Sequence, residues 1–127
     1  MSSAAPTYLV FVYGTLRKTG RYHHLLKNAD YLSTVRTHPV YTLVDVGSFP
    51  GLLKNGTTTV IGELYKVTHQ TLMELDHLEE VPTLYTREEI QLNDGRIAWT
   101  YFLHPNNKKK LPIISSGDYF CLSSTIK

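Results

Sequence analysis

The sequence holds a single cysteine, Cys121, so no disulfide can close within the chain. One unpaired thiol suits a reducing cytoplasm. Excess charge is also scarce. Thirteen basic and eleven acidic side chains leave a formal +2, too little to attract nucleic acid or an anionic membrane. No apolar run approaches the ~20 residues that a membrane helix needs. The opening Met1-Ser-Ser-Ala-Ala-Pro6 has no basic residue and precedes only a short apolar stretch, so it does not read as a signal peptide. Repeats, linkers and shifts of composition are absent too. What is present is 127 residues, 42% apolar and 19% charged, the make-up of one soluble domain over 1–127 with its core over about 8–120.

The densest apolar tract is Tyr8-Leu-Val-Phe-Val-Tyr13, followed by Gly14-Thr15-Leu16-Arg17. Six β-branched, aromatic and aliphatic residues in a row predict a strand buried on both faces. A strand halting at a glycine has two readings. It can be a plain strand end leading into a turn. Alternatively, the amides past its end lack ladder partners and form a concavity for a carboxylate or a developing oxyanion.

Further along, Tyr22–Lys27 predicts a helical turn or two, and Tyr31–Thr37 and Val40–Val46 predict strands. Ser48-Phe49-Pro50-Gly51 is a turn carrying one large aromatic. Asn55-Gly56 predicts a hairpin joining Leu52-Leu53 to a strand over Thr58–Val67, with Glu63 on a solvent-facing edge. One convincing helix follows: Thr68 caps it, Gln70–Glu80 forms its body, and Leu72, Leu75 and Leu78 make its apolar stripe. Val81-Pro82 stops it. Asn93-Asp94-Gly95 predicts a second hairpin between Tyr85–Leu92 and Arg96–Leu103. His104–Lys110 reads as a basic loop, and Ser115–Asp118 as a turn. The sum is an α+β fold: a small mixed, mostly antiparallel β-barrel with short flanking helices. The first strand is central, and its end opens at the barrel mouth.

Three acids, Asp76, Glu79 and Glu80, crowd the end of the helix, where the macrodipole disfavours them. Either all three are solvated at a fraying end, or geometry separates them. Glu79 follows Leu75 by four residues and Leu72 by seven, which places it on the buried stripe. Glu80 follows Asp76 on the more exposed side. A carboxylate turned inward there has a raised pKa, as a general base at neutral pH requires. Other candidates are weaker. Cys121 has no adjacent base, and His23-His24, His69 and His77 lack metal-ligand spacing. Arg17 and Arg87 pair either with a substrate carboxylate or with Glu88 and Glu89.

The tract Val10-Phe-Val-Tyr-Gly-Thr-Leu-Arg17 resembles the opening motif of the γ-glutamylcyclotransferase-like superfamily. Leu75-Asp-His-Leu-Glu-Glu-Val-Pro-Thr-Leu-Tyr-Thr-Arg87 is similar to its γ-glutamylamine cyclotransferase, or AIG2-like, branch. Gly62-Glu63-Leu64-Tyr65 and Ser116-Gly117-Asp118-Tyr119 also look like family positions, so the likeness runs from about Tyr8 to Tyr119. The resemblance implies a reaction without metal or cofactor on a small γ-glutamyl molecule, releasing 5-oxoproline and an amine, and nothing in the sequence demands more than a monomer. It implies Glu79, not Glu80, as the acid–base residue. It places Tyr13, Gly14, Thr15 and Leu16 on the loop that holds substrate and Tyr85 in the pocket wall, with Phe49 and Pro50 at its rim. The same likeness admits a second possibility, a non-catalytic small-ligand-binding module on the same fold.

Overall fold

In a computed structural model of the chain, residues 6–104 and 110–120 are described. Strand β1 (Thr7–Val12) occupies the middle of a five-stranded sheet, the place its two-sided apolar run requires. Beyond it in the chain lie β2 (Asp30–Arg36), β3 (Tyr41–Asp45), β4 (Pro50–Thr58), β5 (Ile61–Thr68), β6 (Tyr85–Gln91) and β7 (Ile97–Leu103). The sheet order is β2-β5-β1-β7-β6, while β3 and β4 form a separate two-stranded ribbon. β1 runs antiparallel to β5 from Thr7↔Thr68 to Val12↔Glu63, and parallel to β7 at Val10↔Trp99. The sheet is therefore mixed and mostly antiparallel.

Alternation along β1 feeds two cores. Val10 and Val12 pack with Leu72 and Leu75 of helix α1 (His69–Leu78), together with Tyr65, Tyr85 and Tyr101. Phe11 and Tyr13 pack on the other side with Leu43 and Leu52 of the ribbon, and with Leu64 and Phe102. A helix covers one face of the strand and the ribbon covers the other. Each large side chain removed from water there stabilises the fold by roughly 1.5–3 kcal/mol.

The expected barrel, closed or nearly closed, does not close. The edges of the sheet, β2 and β6, meet at one end only, through an isolated Thr37↔Leu92 bridge and the Asn93 amide donating to the Arg36 carbonyl at 2.9 Å. Among the described residues no continuous ladder joins them, so the sheet is curled and open.

Asn55-Gly56 does not turn the chain. β4 continues through it and pairs with β3, not β5, and the register slips from Tyr41↔Thr58 to Thr42↔Leu53, so residues 54–57 bulge out. The glycine answers to crowding here. A Cβ on Gly56 would lie 2.1 Å from Thr42 Oγ1 and 2.3 Å from the Tyr41 carbonyl oxygen. A motif that elsewhere signals a hairpin by its freedom at positive φ serves here by its lack of a side chain. Asn93-Asp94-Gly95 does turn, with Gly95 at φ +96° between β6 and β7.

Helix α1 begins as its sequence indicates, with the Thr71 amide donating to Thr68 Oγ1 at 3.2 Å. The body is shorter than expected, and Glu79 is its C-cap residue. Tyr22–Lys27 contributes one 3₁₀ turn, His23–Leu26. Glu63 reverses its expected setting: it is buried, because three donors converge on it. Arg17 Nε lies 3.3 Å from Oε2, and the Lys18 amide and Tyr65 hydroxyl each donate to Oε1 at 2.9 Å. Arg17 also reaches Asp118 at 2.7 Å, bracing the segment after β1 against β5 and the 116–118 turn. Cys121 and most of the basic loop (residues 105–109) lie outside the described residues. No helix among those described is long and apolar enough to cross a membrane.

Candidate active site

Where β1 ends, the chain turns tightly, and the turn uses its carbonyls but leaves its first three amides unused. The Gly14 carbonyl accepts from the Arg17 amide at 3.0 Å, and the Thr15 carbonyl accepts from the Tyr22 amide at 2.9 Å. The Leu16 carbonyl accepts from His23 Nδ1 at 2.9 Å. The amides of Gly14, Thr15 and Leu16 meet no acceptor among the described residues. These three residues line a cleft, so their N–H groups are left for whatever enters it. Gly14 has to be glycine for a steric reason. A Cβ there would sit 2.5 Å from Pro50 Cγ and 2.7 Å from Cδ, inside a ring that cannot swing away.

The deep end of the cleft has a volume of about 30 Å³, room for one carboxylate-sized group. Tyr13, Gly14, Thr15, Leu16, Glu79 and Tyr85 all line it, together with Phe49, Pro50 and Tyr101. The six residues singled out in the sequence are thus gathered around one space from three separate parts of the chain.

The three helix-end acids have three different fates. Asp76 is paired, its Oδ1 2.8 Å from Arg87 Nε and 2.7 Å from the Tyr101 hydroxyl that donates to it. Arg87 is therefore committed to Asp76, and Lys54, not an arginine, pairs with Glu88 at 2.7 Å. Glu80 is exposed. Glu79 turns into the cleft, where its carboxylate has no hydrogen-bond or ion-pair partner among the described residues. Burial alone pushes its pKa from the ordinary 4.5 up to about 7. The residue as a whole is only half-buried by area, but its carboxylate is the enclosed part.

The backbone explains this sorting. The Glu79 amide donates to the Leu75 carbonyl at 2.9 Å, completing the helix. Glu80 then takes φ +52°, its amide donating to the His77 carbonyl while the Val81 amide donates to that of Asp76, both at 3.1 Å. This is a Schellman ending, in which the left-handed position normally belongs to glycine. A glutamate there costs about 1 kcal/mol.

Two tyrosines brace the walls. The Tyr13 hydroxyl donates to the Tyr101 carbonyl at 2.6 Å and accepts the Leu52 amide at 3.1 Å. The Tyr85 hydroxyl donates to the Pro50 carbonyl, which fixes the turn between β3 and β4 against β6. Both phenol protons are thus spent on the protein, leaving only oxygen lone pairs toward the cleft. Burial raises both phenol pKa values, followed by repulsion from Tyr85 and Glu79 at Tyr13 and from Glu79 and Tyr119 at Tyr85, so they stay protonated. Tyr101 escaped the sequence reading. An aromatic within a strand buried on both faces carries no local mark of a site.

The fold and site define a class: small α+β proteins in which an unpaired enclosed acid and free backbone amides line one cleft at the end of the central strand. Comparison with known proteins specifies the class. The chain belongs to the gamma-glutamyl cyclotransferase, AIG2-like family, whose model matches residues 10–121. It is 36% identical over 110 residues to the Escherichia coli gamma-glutamylcyclotransferase family protein YtfP, covering 87% of this chain and 94% of that one. It is 38% identical over 102 residues to the gamma-L-glutamyl-butirosin B gamma-glutamyl cyclotransferase of Niallia circulans, covering 72% of this chain and 64% of the other. Among solved structures, an AIG2-like protein from Mus musculus superposes with a TM-score of 0.75 at 28% identity, covering 88% of each chain.

Proposed function

We propose that the protein is a γ-glutamylcyclotransferase that converts a γ-glutamyl amine, such as γ-glutamyl-ε-lysine, or a γ-glutamyl amino acid into 5-oxoproline and the free amine. The observation that carries this reading is the enclosed, unpaired Glu79 beside the free amides of Gly14, Thr15 and Leu16. Family membership supports the reaction class.

The substrate enters with its α-amine protonated and therefore non-nucleophilic. Glu79 takes a proton from that ammonium, and the freed nitrogen attacks the γ-carbonyl carbon of the same molecule. A carbon–nitrogen bond forms, the ring closes, and the carbonyl oxygen gains negative charge. As the tetrahedral centre collapses, the bond to the leaving nitrogen breaks and Glu79 returns its proton to that nitrogen. The ring nitrogen sheds a second proton as its bond to carbon forms, and Glu79 passes this one too to the departing amine. An ammonium enters, an ammonium leaves, and two protons have moved. A base with a pKa near 7 suits both directions of transfer, and such a group supplies about 10²–10⁴ in rate. The amides of the 14–16 turn hold either the α-carboxylate or the developing oxyanion, where one donor is worth roughly 10²–10³. Tyr13 and Tyr85 keep the walls in place, and the curled glutamyl chain brings nucleophile and carbonyl together.

The test is 5-oxoproline release, followed by mass spectrometry, from γ-glutamyl-ε-lysine, γ-glutamyl-alanine and glutathione, with wild type beside Glu79→Gln. Release by wild type, lost in a folded Glu79→Gln, is the expected result. Full activity in that variant overturns the assignment of the base. Silence of both proteins across the panel favours the alternative, a small-ligand-binding module on this fold.

A further inference from the structure

Glu79 has no polar partner among the described residues, so its carboxylate takes its place from the backbone that carries it. That backbone is the end of α1, whose Leu72 and Leu75 rest on the sheet through apolar contacts. Such contacts draw the helix onto the sheet but have no preferred direction. Direction comes from one side chain. Asp76, three residues before Glu79, is the only α1 side chain hydrogen-bonded to the sheet among the described residues. Its Oδ1 accepts from the Tyr101 hydroxyl and from Arg87 Nε, two donors that stand opposite each other across the β6–β7 ladder. The Arg87 guanidinium also lies 4.6 Å from the centre of the Trp99 ring, which holds it from a second side.

Tyr101 is tied at its backbone as well. Its carbonyl accepts the Tyr13 hydroxyl at 2.6 Å, and Tyr13 leads directly into the 14–16 turn. One residue of β7 therefore holds both sides of the cleft, the amide turn through its carbonyl and the helix of the base through its hydroxyl. Tyr101 is buried, and its phenol stays a donor because burial, then the Asp76 carboxylate, raises its pKa. A partly buried ion pair adds little net stability over an apolar contact of the same size, so what Asp76 and Arg87 contribute is placement.

We infer that Tyr101 is a positioning residue of the reaction: through Asp76 it fixes the end of α1, and with it Glu79, at a set distance from the amides of Gly14, Thr15 and Leu16. The inference rests on the cyclotransferase reading, in which Glu79 must reach first the α-nitrogen and then the leaving nitrogen. Proton transfer needs heavy atoms about 2.6–3.2 Å apart, so a small drift of the helix end interrupts it. Binding of the glutamyl end to the amide turn makes no such demand. Loss of the Tyr101 hydroxyl should therefore slow turnover and leave binding in place.

Tyr101→Phe removes one oxygen atom and keeps both the ring and the carbonyl that Tyr13 uses. Two measurements are paired on it. One is kcat by 5-oxoproline release, from the γ-glutamyl compound that wild type turns over best. The other is Kd by calorimetry for 5-oxoproline itself, a product that keeps the glutamyl carboxylate but undergoes no proton transfer. The variant should lose about 10²-fold in kcat, the scale of a displacement of about 1 Å, while Kd is unchanged and circular dichroism remains native. Asp76→Ala should lose as much, and Asp76→Asn, whose Oδ1 still accepts from both donors, should recover most of the rate. An undiminished kcat in Tyr101→Phe overturns the inference and leaves the cyclotransferase reading intact. Equal losses of kcat and of affinity for 5-oxoproline also overturn it, since they mark a general loosening of the fold. If wild type releases no 5-oxoproline, the reaction reading fails, and the role given to Tyr101 fails with it.

Discussion

Glu79→Gln should do more than stop turnover: it should change how stability depends on pH. In the folded protein the carboxyl titrates near 7, against an ordinary 4.5 in the unfolded chain. Between those values the native state holds a proton that the unfolded state has lost. Stability therefore falls as pH rises through that window, and levels off above about 7. At about 1.4 kcal/mol per unit, the displacement amounts to about 3 kcal/mol of stability, present at pH 4 and lost by pH 8. Glutamine does not titrate. Any cost of burying its amide is the same at both pH values and cancels when they are compared. Relative to wild type, the variant should gain about 3 kcal/mol on going from pH 4 to pH 8, on the order of 10 °C in Tm for a chain of this size. Urea melts of both proteins at the two pH values provide the measurement. The same pKa should appear in catalysis, with wild-type kcat/KM rising through an apparent pKa of about 7. Parallel stability profiles for the two proteins would refute the reasoning, because they would mean that Glu79 titrates as an ordinary exposed acid.

Two further perturbations probe the frame around that acid. Gly14→Ala sets a methyl group 2.5 Å from the Pro50 ring and so must shift the turn. A displacement of this size should cut kcat/KM about 10²-fold while circular dichroism remains native, and unchanged kinetics would remove the 14–16 turn from the site. Arg17→Met leaves Glu63 buried, with side-chain exposures of 11% and 6% in the intact pair, and should cost about 3–5 kcal/mol in a urea melt. Adding Glu63→Gln should restore part of that loss, and a single-variant cost below about 1 kcal/mol would show that the brace is not structural.

Much of this protein is local chemistry that can be read directly from residue order. The two-sided strand at Tyr8–Tyr13, the Thr68 cap, the Leu72 and Leu75 stripe and the Asn93-Asp94-Gly95 turn each depend on neighbours within a few positions. Helical spacing over the same short range puts Glu79 on the side of Leu72 and Leu75, while Glu80 is set apart by the left-handed helix ending. Other features depend on partners far along the chain. Gly56 avoids contact with Thr42 and Tyr41, and Glu63 is buried because Arg17, Lys18 and Tyr65 converge on it. The sheet stays open because its edge strands meet at one bridge only. Tyr101 enters the cleft because β7 lies parallel to β1. Periodicity and turn chemistry determined the elements and the direction in which the acid faces. Tertiary packing decided which amides are left free, which acids are paired, and that Glu79 meets the 14–16 turn across one cleft. Those outcomes are set by long-range contacts and by loss of solvent, which no short window of sequence contains.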